Sequence, residues 1–380
     1  MKTWIFLLMV VVVATYLIAF LRRKPSRHLG SIDAIVPAYN EEPCITQSLE
    51  CLLRNPYLDK VICVNDGSTD GTARVLEQLA QRWGDKLVVV NQANTGKGGA
   101  LMNGLRHATA AQVFLTDADT HVPPDSDGLG YMLAEIERGA DAVGGIPSSN
   151  LRGAGFLPHV RATIKLPMII VKRTFQQIVG GAPFIISGAC GLFRTDVLRK
   201  TGFSDRTRVE DLDLTWTLVG QGYRVRQANR CVVFPQECNT VGDEWRRWRR
   251  WIVGYAVCMR LHRHMLLTRY GLGSILPMAL VVFYGVYAYL LSWLGMYFAS
   301  ANATAFGLSF FPLIWVGVVT LIGGVSAVYH RSWSLMPLAS LAVLYVLFAY
   351  TIWMLHGLPG LITGREPKRD KPRRYANVVD

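Results

Sequence analysis

The 380-residue chain lacks the devices on which several common protein classes are built. Its seven cysteines (Cys44, Cys51, Cys63, Cys190, Cys231, Cys238 and Cys258) are odd in number, and no two stand as Cys-x-x-Cys. A disulfide framework and a zinc site are therefore not expected, and a reducing cytosolic setting is the plain expectation for the middle of the chain. Acidic residues are scarce, 27 against 40 Lys and Arg, for a net charge of +13. The excess bases gather at Arg22-Arg23-Lys24, at residues 246–250 and at residues 365–374, each beside an apolar segment. That placement suits positive-inside flanks and anionic lipid, not a nucleic-acid groove. No Walker A spacing is present, which disfavours a P-loop ATPase. No small-residue cleavage site precedes Arg22, which disfavours a removable signal peptide.

Apolar residues are in excess: 51% of the chain is hydrophobic and mean hydropathy is +0.24. They concentrate in the first 21 residues and after Gly271. Residues 4–21, 275–299, 305–328 and 336–354 are each long enough to span a bilayer as a helix. The heavy positive flank after the first block puts the N-terminus outside and the centre of the chain in the cytosol. Three crossings at the other end then carry the basic tail outside, against the same rule. A re-entrant block removes the conflict, as does deeper embedding of residues 156–186, an amphipathic region with Arg161, Lys165, Lys172 and Arg173 among apolar runs. The expected division is a membrane helix (1–24), a cytosolic α/β domain (30–242), an amphipathic interfacial helix (243–268), membrane helices (271–358) and a basic tail (359–380).

Within the α/β part, strands are expected at residues 31–38, 60–64, 87–90 and 113–115, each an apolar run followed by a polar or Gly-containing loop and a helix. This alternation predicts a mixed, mostly parallel sheet with ligands at its carboxyl edge. After the first strand, Tyr39-Asn40-Glu41-Glu42-Pro43 leads into a helix with Asn40 as its cap. After the second comes Asn65-Asp66-Gly67-Ser68-Thr69-Asp70. After the third, Asn94-Thr95-Gly96-Lys97-Gly98-Gly99 opens a helix whose N-terminus and Lys97 can face a diphosphate, although a flexible turn fits the same composition. After the fourth, Asp117 and Asp119 fall on one face if the backbone stays extended. Two such carboxylates with a substrate phosphate suit Mg²⁺ or Mn²⁺, and an Asp-rich turn is the ordinary alternative.

Downstream, residues 185–193 read as a strand of small residues where something approaches the backbone closely, with Gly188 at its centre. Val209-Glu210-Asp211-Leu212-Asp213 opens a helix; acidic residues in a first turn are also the usual answer to the helix dipole. Trp245-Arg246-Arg247-Trp248-Arg249-Arg250-Trp251 forms an interfacial helix, with the tryptophans, Ile252, Tyr255 and Met259 on one stripe and the arginines opposite, toward lipid headgroups or a nucleotide diphosphate.

Taken together, these motifs resemble the membrane-bound, processive family-2 glycosyltransferases, a group that includes cellulose, hyaluronan and poly-N-acetylglucosamine synthases. The resemblance covers about residues 35–255, and the motifs come in the family's order. It implies a GT-A-type nucleotide-sugar-binding domain with transmembrane helices at both ends. Val36-Pro37-Ala38-Tyr39-Asn40-Glu41 matches the opening strand that holds base and ribose, with Pro37, Tyr39, Asn40 and Glu41 as donor-binding positions. Asp66 matches the aspartate that reads the uracil edge, and Lys97 the lysine near the diphosphate. Asp117 and Asp119 match the Asp-x-Asp motif, with Asp119 the metal ligand and Asp117 at the donor. Glu210-Asp211 resembles Thr-Glu-Asp with Val209 in place of Thr, which makes Asp211 the catalytic base and Glu210 its neighbour. Arg250-Trp251 matches the end of Gln-x-x-Arg-Trp, with Arg247 in place of the Gln, at a signature associated with elongation and the acceptor channel.

The resemblance further implies an inverting, metal-assisted enzyme in the cell inner membrane. Its donor is UDP-GlcNAc or UDP-glucose, and its acceptor a growing glycan or, as the alternative, a single membrane lipid. Membrane lipids are expected partners, nucleic acid is not, and room remains for an accessory membrane subunit. A catalytically dead scaffold is a third reading, and the intact set Asp117, Asp119 and Asp211 argues against it.

Overall fold

The computed structural model describes residues 23–204, 206–278, 323–364 and 374–375. Their centre is an eight-stranded mixed sheet in the order β3-β2-β1-β4-β7-β6-β8-β5. Strands β1 (Ile32–Ala38), β2 (Leu58–Asp66), β3 (Leu87–Gln92) and β4 (Gln112–Leu115) are parallel to one another. Each includes nearly all of the run expected for it, because an apolar stretch bounded by turn residues can bury both faces. Alternation along β1 sends Ala34 and Val36 to one core layer and Ile35 to the other.

The first layer is closed by α1 (Ile45–Leu53), α2 (Thr72–Trp83) and α4 (Gly128–Glu137). The second is closed by α3 (Gly96–His107), α6 (Thr195–Thr201) and α7 (Glu210–Gly220). Trp216 of α7 is fully buried, and its indole N–H donates to the Phe184 carbonyl at 2.9 Å. An aromatic so placed contributes about 1.5–3 kcal/mol by area alone and fixes the rotation of α7 about its axis.

The second half of the sheet reverses direction. β7 (Gly191–Arg194) runs antiparallel to β4 and to β6 (Ala142–Pro147). β8 (Val225–Pro235) is parallel to β6 and pairs with the short β5 (Thr120–His121). The expectation of a strand over 185–193 is corrected here: pairing begins only at Gly191, and Ser187 and Gly188 lie in the loop before it. Asn40 is not the cap of α1 either. That helix starts after Pro43 and Cys44, while Asn40 stands at φ +53° with its side-chain oxygen accepting from the Thr69 N–H at 2.8 Å. It ties the loop after β1 to the loop after β2.

Helix α5 (Phe156–Gly180) carries Pro167 in its interior. It buries Val160, Arg161, Ile164 and Leu166, and leaves Met168, Val171, Phe175 and Ile178 exposed along one stripe. Helix α8 (Val241–Leu261) covers most of the stretch expected as an amphipathic helix, starting two residues earlier and ending at Leu261 rather than 268. Its tryptophans face inward: Trp248 donates to the Tyr345 hydroxyl at 2.7 Å, and Trp245 meets Phe348 and His356 edge-on.

The arginines of α8 are not all opposite the tryptophans, which corrects the expected stripe. Arg247 is one turn before Trp251, and its guanidinium lies 5.3 Å from that ring centre. Among the described residues no helix is long and apolar enough to cross a membrane. The block at 336–354 is not one such helix: the α-helical segment Ala342–Ile352 is flanked by 3₁₀ and π turns, and its Tyr345 is buried. The blocks at 4–21 and 305–328 lie outside the described residues or nearly so, as does most of 275–299.

Candidate active site

Strand order reverses between β1 and β4, so the loops at their carboxyl ends diverge and leave a crevice where α/β sheets place their ligands. Asp66, at the end of β2, accepts from the Thr95 N–H at 2.8 Å, the Gly96 N–H at 2.9 Å and the Gln92 amide at 2.8 Å. It is thereby the anion at the N-terminus of α3, and it holds the loop that carries Lys97. Gly67 must be glycine for the same approach: its φ is +72°, and a Cβ there would lie 2.8 Å from the Asn94 nitrogen.

Lys97 reaches Asp117 at 2.7 Å and Glu210 at 3.1 Å. Burial works against its charge, but Asp117, Glu210 and Asp211 outweigh that and hold the ammonium well above the ordinary lysine range. Gly188 lies against it, since a Cβ at this position would stand 2.6 Å from the Lys97 nitrogen. The Gly188 N–H donates to the Asp211 carboxylate at 2.9 Å. Burial, reinforced by Glu210, pushes the Asp211 carboxyl up, against the pull of Lys97 and of the Gly188 hydrogen bond. A carboxylate so raised has an increased proton affinity, which is the direction a general base needs. Asp213, two residues on, is committed elsewhere: it accepts from Arg206 at 2.8 and 2.9 Å and faces the His262 imidazole at 2.6 Å.

Asp117 and Asp119 do not share one partner. The strand ends at Leu115, the chain turns, and alternation is lost. Asp117 goes to Lys97, while Asp119 is buried and meets the Arg374 guanidinium at 2.5 Å. Arg374 also forks onto Glu41 at 2.9 and 3.2 Å. Burial pushes the Asp119 carboxyl up to about 6, with Arg374 opposing and Asp117 and Glu41 adding.

Among the described residues no group of three or more His, Cys, Asp and Glu is arranged to hold a metal ion. The donor set nevertheless fits one in a limited sense. Asp119 already holds a cation in the Arg374 guanidinium, and its hard carboxylate oxygens suit Mg²⁺ or Mn²⁺ when a diphosphate supplies the remaining oxygens.

Of the other expected positions, Pro37 is the last but one residue of β1 and pairs with Val64, and Tyr39 is exposed just past the strand. Arg247 is drawn into a second group of charges beneath α8. Glu237 receives Arg161 at 2.5 Å, Lys165 at 2.5 Å and Arg247 at 2.8 Å. Glu244 pairs with Arg247 and with Arg161, the latter at 3.3 Å, and accepts from the Tyr345 hydroxyl. The Arg161 and Arg247 guanidinia lie 5.5 and 5.3 Å from the Trp251 ring centre. Sequence reasoning missed this network, and it missed Arg374 as a neighbour of Asp119. The partners are far apart in the chain, and no local spacing links them.

Comparison with known proteins gives the family and the fold. The model of glycosyl transferase family 2 matches residues 33–202. A protein of Escherichia coli K12 that carries the name uncharacterized glycosyltransferase YaiP is 66% identical over 380 residues, covering 100% of this chain and 95% of its own. The chain belongs to glycosyl transferase family 2. Poly-beta-1,6-N-acetyl-D-glucosamine synthases of Staphylococcus epidermidis and Staphylococcus aureus strain COL are 29% and 30% identical over 251 and 243 residues. These matches cover 62% of this chain but 59% and 57% of the synthases, so the chain spans under two thirds of their length. The structure of mannosyltransferase PcManGT from Pyrobaculum calidifontis, in complex with GDP-Man and Mn²⁺, superposes with a TM-score of 0.53 at 20% identity, covering 88% of this chain and 94% of that one. That likeness bears on the fold, a GT-A-like α/β domain with a mixed sheet.

Proposed function

We propose that this glycosyltransferase moves a sugar from a UDP-sugar, UDP-GlcNAc or UDP-glucose, to an acceptor hydroxyl with inversion, and that it elongates a β-linked polysaccharide at a membrane. The observation that carries this reading is the chain of contacts Asp117–Lys97–Gly188–Asp211, which sets a raised carboxylate beside a phosphate-binding type of loop. The poly-N-acetylglucosamine synthases among the relatives support the choice of donor.

In this reading Asp211 takes the acceptor proton as the oxygen attacks the anomeric carbon. The bond from that carbon to the diphosphate oxygen breaks, and UDP leaves with the electron pair. One displacement turns an α-linked donor into a β-linkage. Lys97 faces the diphosphate as a point charge. Pro37, Tyr39, Asn40, Glu41 and Asp66 line the donor edge, and Arg250 and Trp251 the acceptor side. A divalent cation held by Asp119 with Asp117 nearby would neutralise charge on the departing diphosphate.

The catalytic part, residues 30–242, is proposed to face the cytosol at the inner membrane, with 243–268 as the interfacial helix, 1–24 and 271–358 as the membrane parts and 359–380 as the tail. The Arg22-Arg23-Lys24 flank and the exposed apolar stripe of α5 support this. The contact of Arg374 with Asp119 supports a tail on the same side as the site, which calls for an even number of crossings between them.

One observation favours the alternative, a single addition to a membrane lipid. Arg247, in the place of the signature Gln, is held by Glu237 and Glu244 rather than turned to an acceptor. The deciding assay is transfer from radiolabelled UDP-sugars, tried in turn on the purified full-length protein. Long polymer is expected, a one-sugar lipid would establish the alternative, and no product from any donor would contradict both.

A further inference from the structure

Arg374 comes from the far end of the chain, 333 residues from Glu41, yet its side chain is almost enclosed between Glu41 and Asp119. A second contact holds it there. The Gln236 side-chain amide donates to the Tyr375 carbonyl at 2.7 Å, and the Tyr375 N–H donates back to the Gln236 side-chain oxygen at 3.4 Å. Gln236 in turn donates its backbone N–H to the Asp119 carbonyl at 3.1 Å. Two tail residues therefore clip onto the loop that carries Asp119.

We propose that Arg374 is a built-in placeholder for the divalent cation, and that Arg374 and Tyr375 together form an autoinhibitory contact displaced when the site is loaded. This rests on the reading of Asp119 as the metal ligand. Asp119 and Glu41 are buried carboxylates, and leaving them without a cation is costly. In the unloaded protein the guanidinium meets that need. A divalent ion at Asp119 and a guanidinium on the same carboxylate repel each other at short range, so the two exclude one another. The apparent metal affinity is then the intrinsic affinity reduced by the fraction of molecules with the tail released. The enzyme would stay shut until cation and donor are abundant enough to evict Arg374.

The test uses Mn²⁺ with UDP on the full-length protein, with bound ion read by electron paramagnetic resonance and with no turnover involved. Arg374→Gln removes the competing charge and should bind Mn²⁺ about three- to tenfold more tightly than wild type. Arg374→Lys, which keeps a charge but loses the fork onto Glu41, should fall between. In wild type, tryptic cleavage after Arg374 should quicken as Mn²⁺ is added. Asp119→Ala should bind no Mn²⁺ at this site. If Arg374→Gln binds Mn²⁺ no better than wild type while Asp119→Ala has lost it, the metal site stands and the placeholder does not. If Asp119→Ala binds Mn²⁺ as wild type does, the metal assignment fails and the placeholder fails with it.

Discussion

Under α8, Glu237 gathers Arg161, Lys165 and Arg247, and both Glu237 and Glu244 have side chains only 1% exposed. At the sheet edge, Lys97 joins Asp117 and Glu210 with side chains 16%, 33% and 12% exposed. Both groups join cationic side chains to carboxylates, and both perturb their members. In the first, burial is outweighed by Arg161 and Lys165, which hold Glu237 below the ordinary carboxylate range. In the second, burial and Glu210 push Asp211 up. The enclosed group joins α5, α8 and the helix at 342–352, and its charges pair with one another away from solvent. The open group sits on the loop after β4 and on the first turns of α3 and α7, and its partners can be exchanged for those of a ligand. Perturbed charge alone therefore does not mark the reactive place; reach from solvent and a partner that can leave do.

The candidate site as a whole and the enclosed group should respond oppositely to the loss of one carboxylate. Asp119→Ala is expected to lower transfer by about a thousandfold or more, the several kcal/mol a bridging cation supplies, with folding preserved. Product assay and circular dichroism on one preparation check this, and full activity or activity undiminished in excess chelator would remove the metal from the account. Glu237→Gln leaves Arg161, Lys165 and Arg247 facing a neutral amide, and should cost about 3–5 kcal/mol of stability, with activity lost only as the protein unfolds. Denaturant unfolding measures it. A stable but inactive Glu237→Gln would move this network into the catalytic machinery.

A smaller effect is expected at Asp213. Burial raises its carboxyl, but the hydrogen bonds from His262 and Arg206 outweigh that and hold it below the ordinary 3.8. The stability it contributes is present above pH 3.8 and is lost as pH falls through the lowered value, because the unfolded chain then binds the proton first. Asp213→Asn should flatten the acid limb of stability against pH and lower the neutral plateau by about 1 kcal/mol. An unchanged acid limb would contradict the pairing.

Much of the sheet was legible because β1 to β4 are apolar runs closed by turn residues, a local signal. The loops after these strands, which carry the candidate site residues, were legible for the same reason, and the family's motif order extended the candidate set to Asp211. Errors arose where a neighbour decided the outcome. Asn40 was read as a cap, but the adjacent Thr69 loop takes its side chain. Asp117 and Asp119 share one face only while the backbone stays extended; the strand ends at Leu115, and the two meet different cations, Lys97 and Arg374. Arg247 was set with the outward arginines, although it is one turn from Trp251 and Glu237 lies within its reach. Arg374 sits in a basic tail that composition reads as a lipid flank, and only the fold brings it to Asp119.

The most direct test of the account is Asp211→Asn, measured twice on one preparation: UDP binding by calorimetry and sugar transfer by product assay. The amide keeps the shape and removes the proton acceptor. UDP affinity should stay near wild type while turnover falls by about 10²–10⁴-fold, the usual contribution of a general base. Near-normal transfer by Asp211→Asn would leave this residue as a companion of the α7 dipole and the proposed mechanism without its base.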